Sequence, residues 1–542
     1  MEMSRKWFWT AVSAALAASV ALAGCSKDTA APQANTTKEK VDGGEIIWGG
    51  AGEPSILNPF WATDVVSSNI YDLILEPLYT VNPKLQPEPV LADGMPQISS
   101  DNLEWMVKIR KNVKFSDGQP LTADDVVFTF SIPIDKDYAG PRKSTFEKLK
   151  KVEKVDDYTV KFTLSEPYAP FLTGALGYEI LPKHILKDVP IKEMDKAPFT
   201  KNPIGTGPYK LAEWKSGQYV KLERNENYFA GKPAIKTITY KIVPEANALI
   251  AQLQAGEVNR ALISNPADLQ ALKPLIDAKK FKVAEDIGFS YTYVGWNEMN
   301  DLFKDKKVRQ ALTMAIDRKA IVDSVLEGHG KVANAPQSPL SWAYNDNVTV
   351  FEYDPEKAKK LLEEAGWKDT NGDGILDKDG KKFTFELMTN QGNKAREQIV
   401  TIIQQQLKKV GIEVTPRIIE FSSLVNNHIK QKKFDAYVLG WALATDPDPT
   451  SIWHSREIAK GLNYVSYSNP EVDRLSDENT KVLDQTKRKE LIGKAYKLIS
   501  EDQPYTFLYY PNKIDVVPYN LEGYEFHPRL DFYNMHKWYF TK

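Results

Sequence analysis

Cysteine is almost missing from this chain. Its 542 residues include one, Cys25, so an intramolecular disulfide is excluded. Histidine is scarce as well. Six are scattered at 184, 329, 428, 454, 527 and 536, which counts against a multi-histidine metal site. No sign of charge dominates: 70 Lys and Arg face 72 Asp and Glu, for a net charge of −2. Without a cationic excess to neutralise phosphates, nucleic acid is disfavoured as a partner. Beyond the N-terminus, no apolar run reaches the roughly 20 residues that span a bilayer. The chain also lacks a Gly-x-Ser-x-Gly elbow, a His-Glu-x-x-His pair and a Gly-x-x-x-x-Gly-Lys-Ser/Thr phosphate loop. Those absences argue against an enzyme. Disorder is excluded by a 42% hydrophobic content, and the length predicts several domains or lobes.

The lone cysteine stands at an informative place. Arg5 and Lys6 precede an apolar run from Ala11 to Ala23, followed by Gly24 and Cys25. That run is too short to cross a membrane and fits the hydrophobic region of a secretory signal. Leu22-Ala23-Gly24-Cys25 resembles the cleavage box of bacterial lipoproteins. The resemblance implies that residues 1–24 are removed and that Cys25 carries the lipid. A diacylated cysteine anchors stably and would place the protein at the cell membrane, on its extracellular or periplasmic side. Residues 26–43 hold almost no large apolar side chain, so burial cannot offset their ordering entropy. Residues 25–43 are therefore expected to be the lipidated cysteine and a flexible tether.

From Gly44 onward the pattern mixes strands with amphipathic helices. Glu45–Gly50, Trp105–Arg110, Tyr158–Leu164 and Lys236–Val243 read as strands, the last three by alternation of apolar and polar residues. Helices are expected over Glu245–Ala255, Lys307–Ala320, Lys357–Ala365 and Arg396–Val410, three of them stopped by Gly256, Gly366 and Gly411. Strand-then-helix order recurs through the second half, which predicts an α/β fold.

Several segments now point to a family. Residues 113–127 read Val-Lys-Phe-Ser-Asp-Gly-Gln-Pro-Leu-Thr-Ala-Asp-Asp-Val-Val. Asp117-Gly118 predicts a tight turn, and Thr122 caps a helix starting at Ala123. This string resembles the signature of the peptide/nickel-type (family 5) solute-binding proteins of ABC importers. Asn202-Pro203-Ile204-Gly205-Thr206-Gly207-Pro208-Tyr209, Leu253–Glu257, Val308–Leu312 with Ile316–Arg318, and Ala358–Trp367 resemble other segments of that family, in order. Within it, the runs at 368–377 and 501–512 are most similar to the App-type oligopeptide-binding lipoproteins.

The resemblance implies a two-lobed periplasmic-binding-protein type II-like fold that closes by a hinge around its ligand. Residues 44–82, 202–290 and 512–542 would form the first lobe, 83–201 an inserted lobe and 291–511 the second. It further implies a monomer, without catalysis or a required cofactor, that passes oligopeptides to ABC permease subunits. Dipeptides, opines, a metal chelate or a peptide signal remain alternative ligands.

Candidate ligand residues follow. The family places its peptide-amine aspartate just after a Gly-Trp like Gly440-Trp441. Alignment on Pro449 puts Thr445 there instead, so Asp446 and then Asp448 are expected as substitutes. Carboxylates on a loop after a strand can pair with an ammonium. Trp441 and Ala442 belong to the same stretch. Asn463 and Tyr464 resemble a second ligand loop. Trp296 and Asn297 are expected to face the cleft, opposite Asn58 and Trp61. Separately, Asp369, Asn371, Asp373, Ile375 and Asp377 occupy calcium-loop spacing, with Gly380 where a bidentate Glu belongs. A structural calcium or an Asp/Gly-rich turn both remain open for that loop.

Overall fold

The computed structural model describes residues 39–542. The expected signal peptide, Cys25 and nearly all of the expected tether lie outside the described residues. At its end the tether expectation is corrected. Lys40 and Val41 pair with Thr541 and Phe540, so the folded part already includes Lys40, ahead of the expected boundary at Gly44.

Most β structure joins one twelve-stranded mixed sheet. Nine strands position the site: β1 (Glu45–Gly50), β2 (Thr237–Ile242), β3 (Arg260–Ile263), β4 (Phe281–Ile287), β5 (Ser290–Trp296), β6 (Thr384–Asn390), β7 (Glu413–Ile419), β8 (Ala436–Ala442) and β9 (Tyr505–Pro518). Their spatial order is β7-β6-β8-β5-β9-β3-β1-β2, extended by Tyr219–Arg224 and Tyr209–Lys215, with β4 pairing to β9 off this path. Strand β9 explains why two halves form one sheet. Its aromatic and β-branched residues favour extended backbone, and at about 3.3 Å per residue it runs for roughly 45 Å. Its first part pairs with β5 and its later part with β3 and β4. Pro511 has no N–H to donate, and near it the ladder changes partners. The other passage between the halves is the link Gly288-Phe289, where Gly288 N donates to Pro511 O at 2.8 Å. The α/β, two-lobed architecture is therefore present.

Residues 97–164 contribute a separate four-stranded antiparallel sheet, whose core is continuous with that of the first half. In the second half, α1 (Lys394–Lys408) buries Ile399, Val400, Ile403 and Leu407 against the sheet. Asn393 caps it by accepting from Arg396 N.

One helix expectation is corrected. Lys307–Ala320 is two helices, Lys306–Ala315 and Arg318–Val325, because Asp317 caps the second by accepting from Ala320 N. The glycines of 202–209 are explained by close approach. A Cβ on Gly205 would lie 2.1 Å from Ile74 O, and one on Gly207 would lie 2.6 Å from Leu73 O.

Candidate functional site

Strand direction locates the site. β1, β2 and β3 are mutually parallel, as are β6, β7 and β8. β9 runs antiparallel to β3, with Ala261 opposite Val516 and Ile263 opposite Ile514. It also runs antiparallel to β5, which is itself antiparallel to β8. Hence β8 follows the direction of β9 while β3 opposes it. The carboxyl ends of both parallel sets turn toward residues 510–512, where the halves meet. Ligands of open α/β sheets bind outside such ends.

On the second-half wall, Trp441 continues β8 and is half-buried. It stacks on Tyr464 at 6.0 Å and lies parallel to Tyr293 at 6.3 Å. Ala442 and Ala444, which follow it in the chain, are exposed. Arg396, in the first turn of α1, reaches Asn390 Oδ1 at 2.8 Å and would meet a Cβ on Gly440 at 2.9 Å. Among the described residues no ion pair closes on Arg396, and burial lowers its pKa.

On the opposite wall, Trp61 is half-buried edge-on to Tyr138 at 5.3 Å. Arg142 N donates to the Tyr138 hydroxyl at 3.3 Å, and Asp72, Tyr178, Glu179 and Arg529 cluster around Arg142. Burial and mutual repulsion push the Glu179 carboxyl well up, and burial also raises its hydrogen-bonded neighbour Asp72. Two adjacent buried carboxyls disfavour each other's ionisation. The Arg529 guanidinium crosses to the second half and donates from Nη1 to Thr445 Oγ1.

Not every expected residue belongs to this site. Asp446 is corrected: its oxygens accept from Arg488 Nη2 at 2.7 Å and Nη1 at 2.8 Å. Asp448 is corrected likewise. It accepts from Thr450 Oγ1 at 2.7 Å and Asn479 Nδ2 at 3.0 Å, and burial, then Asp446, raises its pKa. Both carboxylates pin the 446–450 loop to the helices α2 (Pro470–Lys481) and α3 (Gln485–Asp502). Trp296 is fully buried and donates to Thr506 Oγ1 at 3.1 Å. Asn297 holds Phe434 O at 2.7 Å. Both are corrected by strand direction: β5 enters at the cleft with Ser290, so its far end lies about 20 Å away. Asn463 is buried and brackets Tyr467, accepting from its N and donating to its O. Asn58 is buried in the first half, where Oδ1 accepts from Phe60 N and Nδ2 has no partner among the described residues. Thr445 meets Arg529 of the first half, Trp441 and Ala442 end the strand that leads to it, Tyr464 stacks on Trp441, and Trp61 packs on Tyr138 within the first half.

The 369–377 loop is a hydrogen-bonded turn. Asp369 accepts from Gly372 N and Gly374 N, Asn371 from Asp373 N, and Asp373 from Ile375 N. Lys382 Nζ pairs with Asp373 at 2.5 Å, and Asp377 turns to Thr370 Oγ1 at 2.8 Å. Among the described residues, no group of three or more His, Cys, Asp or Glu is arranged to hold a metal ion. The calcium expectation therefore does not fit these residues as they stand.

Arg396, Arg529, Asp72 and Glu179 were missed from sequence. Each comes from a different segment, and only the cap before Arg396 offered a local signal.

Two lobes, two strand passages and a polar-aromatic junction define a solute-binding protein of the hinged type. Residues 86–460 match the family model of bacterial extracellular solute-binding proteins, family 5 Middle, and the chain belongs to that family. It is 48% identical over 545 residues to the oligopeptide-binding protein AppA of Bacillus subtilis, covering 99% of each. The solved structure of that AppA in complex with a nonapeptide is similar at TM-score 0.80 and 50% identity, over 93% of this chain and 100% of that one. Heme-binding protein A of Haemophilus influenzae is 30% identical over 518 residues, 90% of this chain and 91% of that one. NikZ from Campylobacter jejuni in complex with Ni(L-His) has TM-score 0.80 at 29% identity, over 92% and 99% of the two chains. The family's work is binding rather than catalysis, and the chain is not an enzyme.

Proposed function

We propose that the chain captures oligopeptides between its lobes and delivers them to an ABC permease. The carrying observation is the junction itself, where two sets of strand carboxyl ends face each other across an aromatic and polar wall. The 50% identical relative bound to a nonapeptide supports the same ligand class. Backbone hydrogen bonds would supply most of the generic affinity, since they ignore side-chain identity. Trp441 and Tyr464 offer flat apolar surface to ligand side chains, and Arg396 offers donors to ligand carbonyls. The division into a first lobe (44–82, 202–290, 512–542), an inserted lobe (83–201) and a second lobe (291–511) belongs to this reading. So do anchoring through Cys25 outside the cell membrane and action as a monomer. No helix of the described residues is long and apolar enough to cross a membrane.

The test is to denature the purified protein and identify what is released by mass spectrometry. Bound peptides of several residues are expected, and the same peptides added back should raise the unfolding temperature. If none copurifies and none shifts unfolding, the oligopeptide reading fails. Metabolic labelling with a fatty acid, compared between wild type and Cys25→Ala, tests the anchor.

A further inference from the structure

Arg529 has an unusual setting. Its side chain is exposed to solvent, yet surrounding protein strips enough hydration to lower its pKa. The exposed guanidinium stands where the two halves meet, against Thr445. Around it stand Asp72 and Tyr71 of the first half and Tyr178 and Glu179 of the inserted region, with Thr445 of the second half across from it. The guanidinium is thus where three regions meet.

The backbone that carries it is pinned. His527 Nδ1 accepts from Arg529 N at 3.1 Å and Leu530 N at 3.0 Å, so its Nε2 donates to Val81 O at 3.1 Å. That pattern needs a neutral ring, and burial holds the His527 pKa down to about 4. Two residues on, Asp531 accepts from Asn69 Nδ2 at 2.6 Å and pairs with Lys513 at 2.6 Å. The turn 527–531 is therefore locked on both sides of Arg529, while the guanidinium itself keeps free donors. Of its five N–H groups, one is engaged by the Thr445 hydroxyl. Among the described residues no ion pair closes on it. Arg142 adds a second cation nearby, and burial raises the Asp72 and Glu179 carboxyls toward their neutral forms, which favours an anion here.

We propose that Arg529 is a subsite for a ligand carboxylate inside the interlobe chamber. The proposal rests on the oligopeptide reading and deepens it. The carboxylate is either the peptide's C-terminus or an acidic side chain at one position. Thr445, standing where the family resemblance places an amine partner, then serves to steady a cation instead.

Calorimetry on a nonapeptide panel tests this. The panel holds one neutral sequence as free acid and as C-terminal amide, and amides with Glu or Gln at each position in turn. For wild type, one carboxylate placement should bind about tenfold tighter than its neutral partner. In Arg529→Gln that ratio should fall to near one while the neutral peptides keep their wild-type affinity. Thr445→Val, which leaves the cation, should keep the ratio. The acid-amide arm and the Glu-Gln arm separate the two sources of carboxylate. An unchanged ratio in Arg529→Gln overturns the proposal, as does an equal loss for neutral and acidic peptides, which marks a purely structural arginine. Loss of the ratio in Arg396→Gln but not in Arg529→Gln overturns it in favour of Arg396. If wild type binds no member of the panel, the oligopeptide reading falls and this subsite with it.

Discussion

Asp446 separates a structural from a ligand-binding account of the loop after β8. Its carboxylate makes two bonds to one guanidinium, at 2.7 and 2.8 Å, and only 13% of its side chain and 6% of that of Arg488 are exposed. Arg488 also donates to Asn479 O and Oδ1, so it cannot swing away to water without breaking α2 from α3. Burial opposes the charge of Arg488, and Asp446 beside it holds the pKa up. Removing one member of such a pair leaves the other buried and uncompensated, at a cost of about 3–5 kcal/mol. Asp446→Asn is therefore expected to lower unfolding stability by that amount, read by urea titration of tryptophan fluorescence. Peptide affinity, measured where the variant is fully folded, should change by less than about threefold. Asp448→Asn is the internal comparison. That carboxyl is already pushed toward its neutral form, and an amide oxygen can still accept from Thr450 and Asn479, so the cost should stay near 1 kcal/mol. The reasoning is refuted if Asp446→Asn leaves the unfolding midpoint in place and weakens peptide binding tenfold or more.

Other perturbations test the frame that holds the site. Burial pushes the Glu76 carboxyl up to about 8, while the Tyr228 and Thr206 hydroxyls beside it pull it down. The native state keeps this proton and the unfolded chain releases it above about 4.3, so its contribution to stability falls as pH rises from there to 8. By pH 7 the loss reaches at most about 3–4 kcal/mol. Glu76→Gln should gain on wild type by most of that between pH 5 and pH 7.5. A difference that stays constant with pH would show that the carboxyl is not held neutral. Gly205→Ala places a Cβ 2.1 Å from a backbone oxygen that cannot yield. It should destabilise by about 1–3 kcal/mol or more, seen as a lower urea midpoint. Asp515→Ala strands Arg260, which is buried between Phe532 at 4.4 Å and Trp538 at 5.2 Å. A loss of about 3–5 kcal/mol is expected, and a loss below 1 kcal/mol would show that the aromatic rings alone suffice for the cation.

What could be read in the sequence was whatever one segment decides by itself. The turn at Asp117-Gly118, the helix starting at Ala123 and the alternation of the strands all depend on neighbours a few residues apart, and they are where they were expected. Asp317 shows the limit even there. A capping aspartate inside an apolar-periodic run divides the helix, and periodicity alone does not register it. The site depends on direction and distance, which a single segment does not carry. Trp296 and Asn297 follow the crossing in sequence, yet β5 carries them away from it, because only pairing with β8 fixes which end of the strand meets the other half. Asp446 sits at the right loop, but its partner Arg488 enters from a helix in a different part of the chain. The groups left at the meeting of the halves are assembled the same way: Trp441 from the end of a parallel strand, Arg396 from the start of the helix after β6, and Arg529 from a bend in the C-terminal segment. A chamber formed by converging strand ends draws its chemistry from residues with no common motif. A substitution at one such position therefore leaves the motifs that define the fold intact.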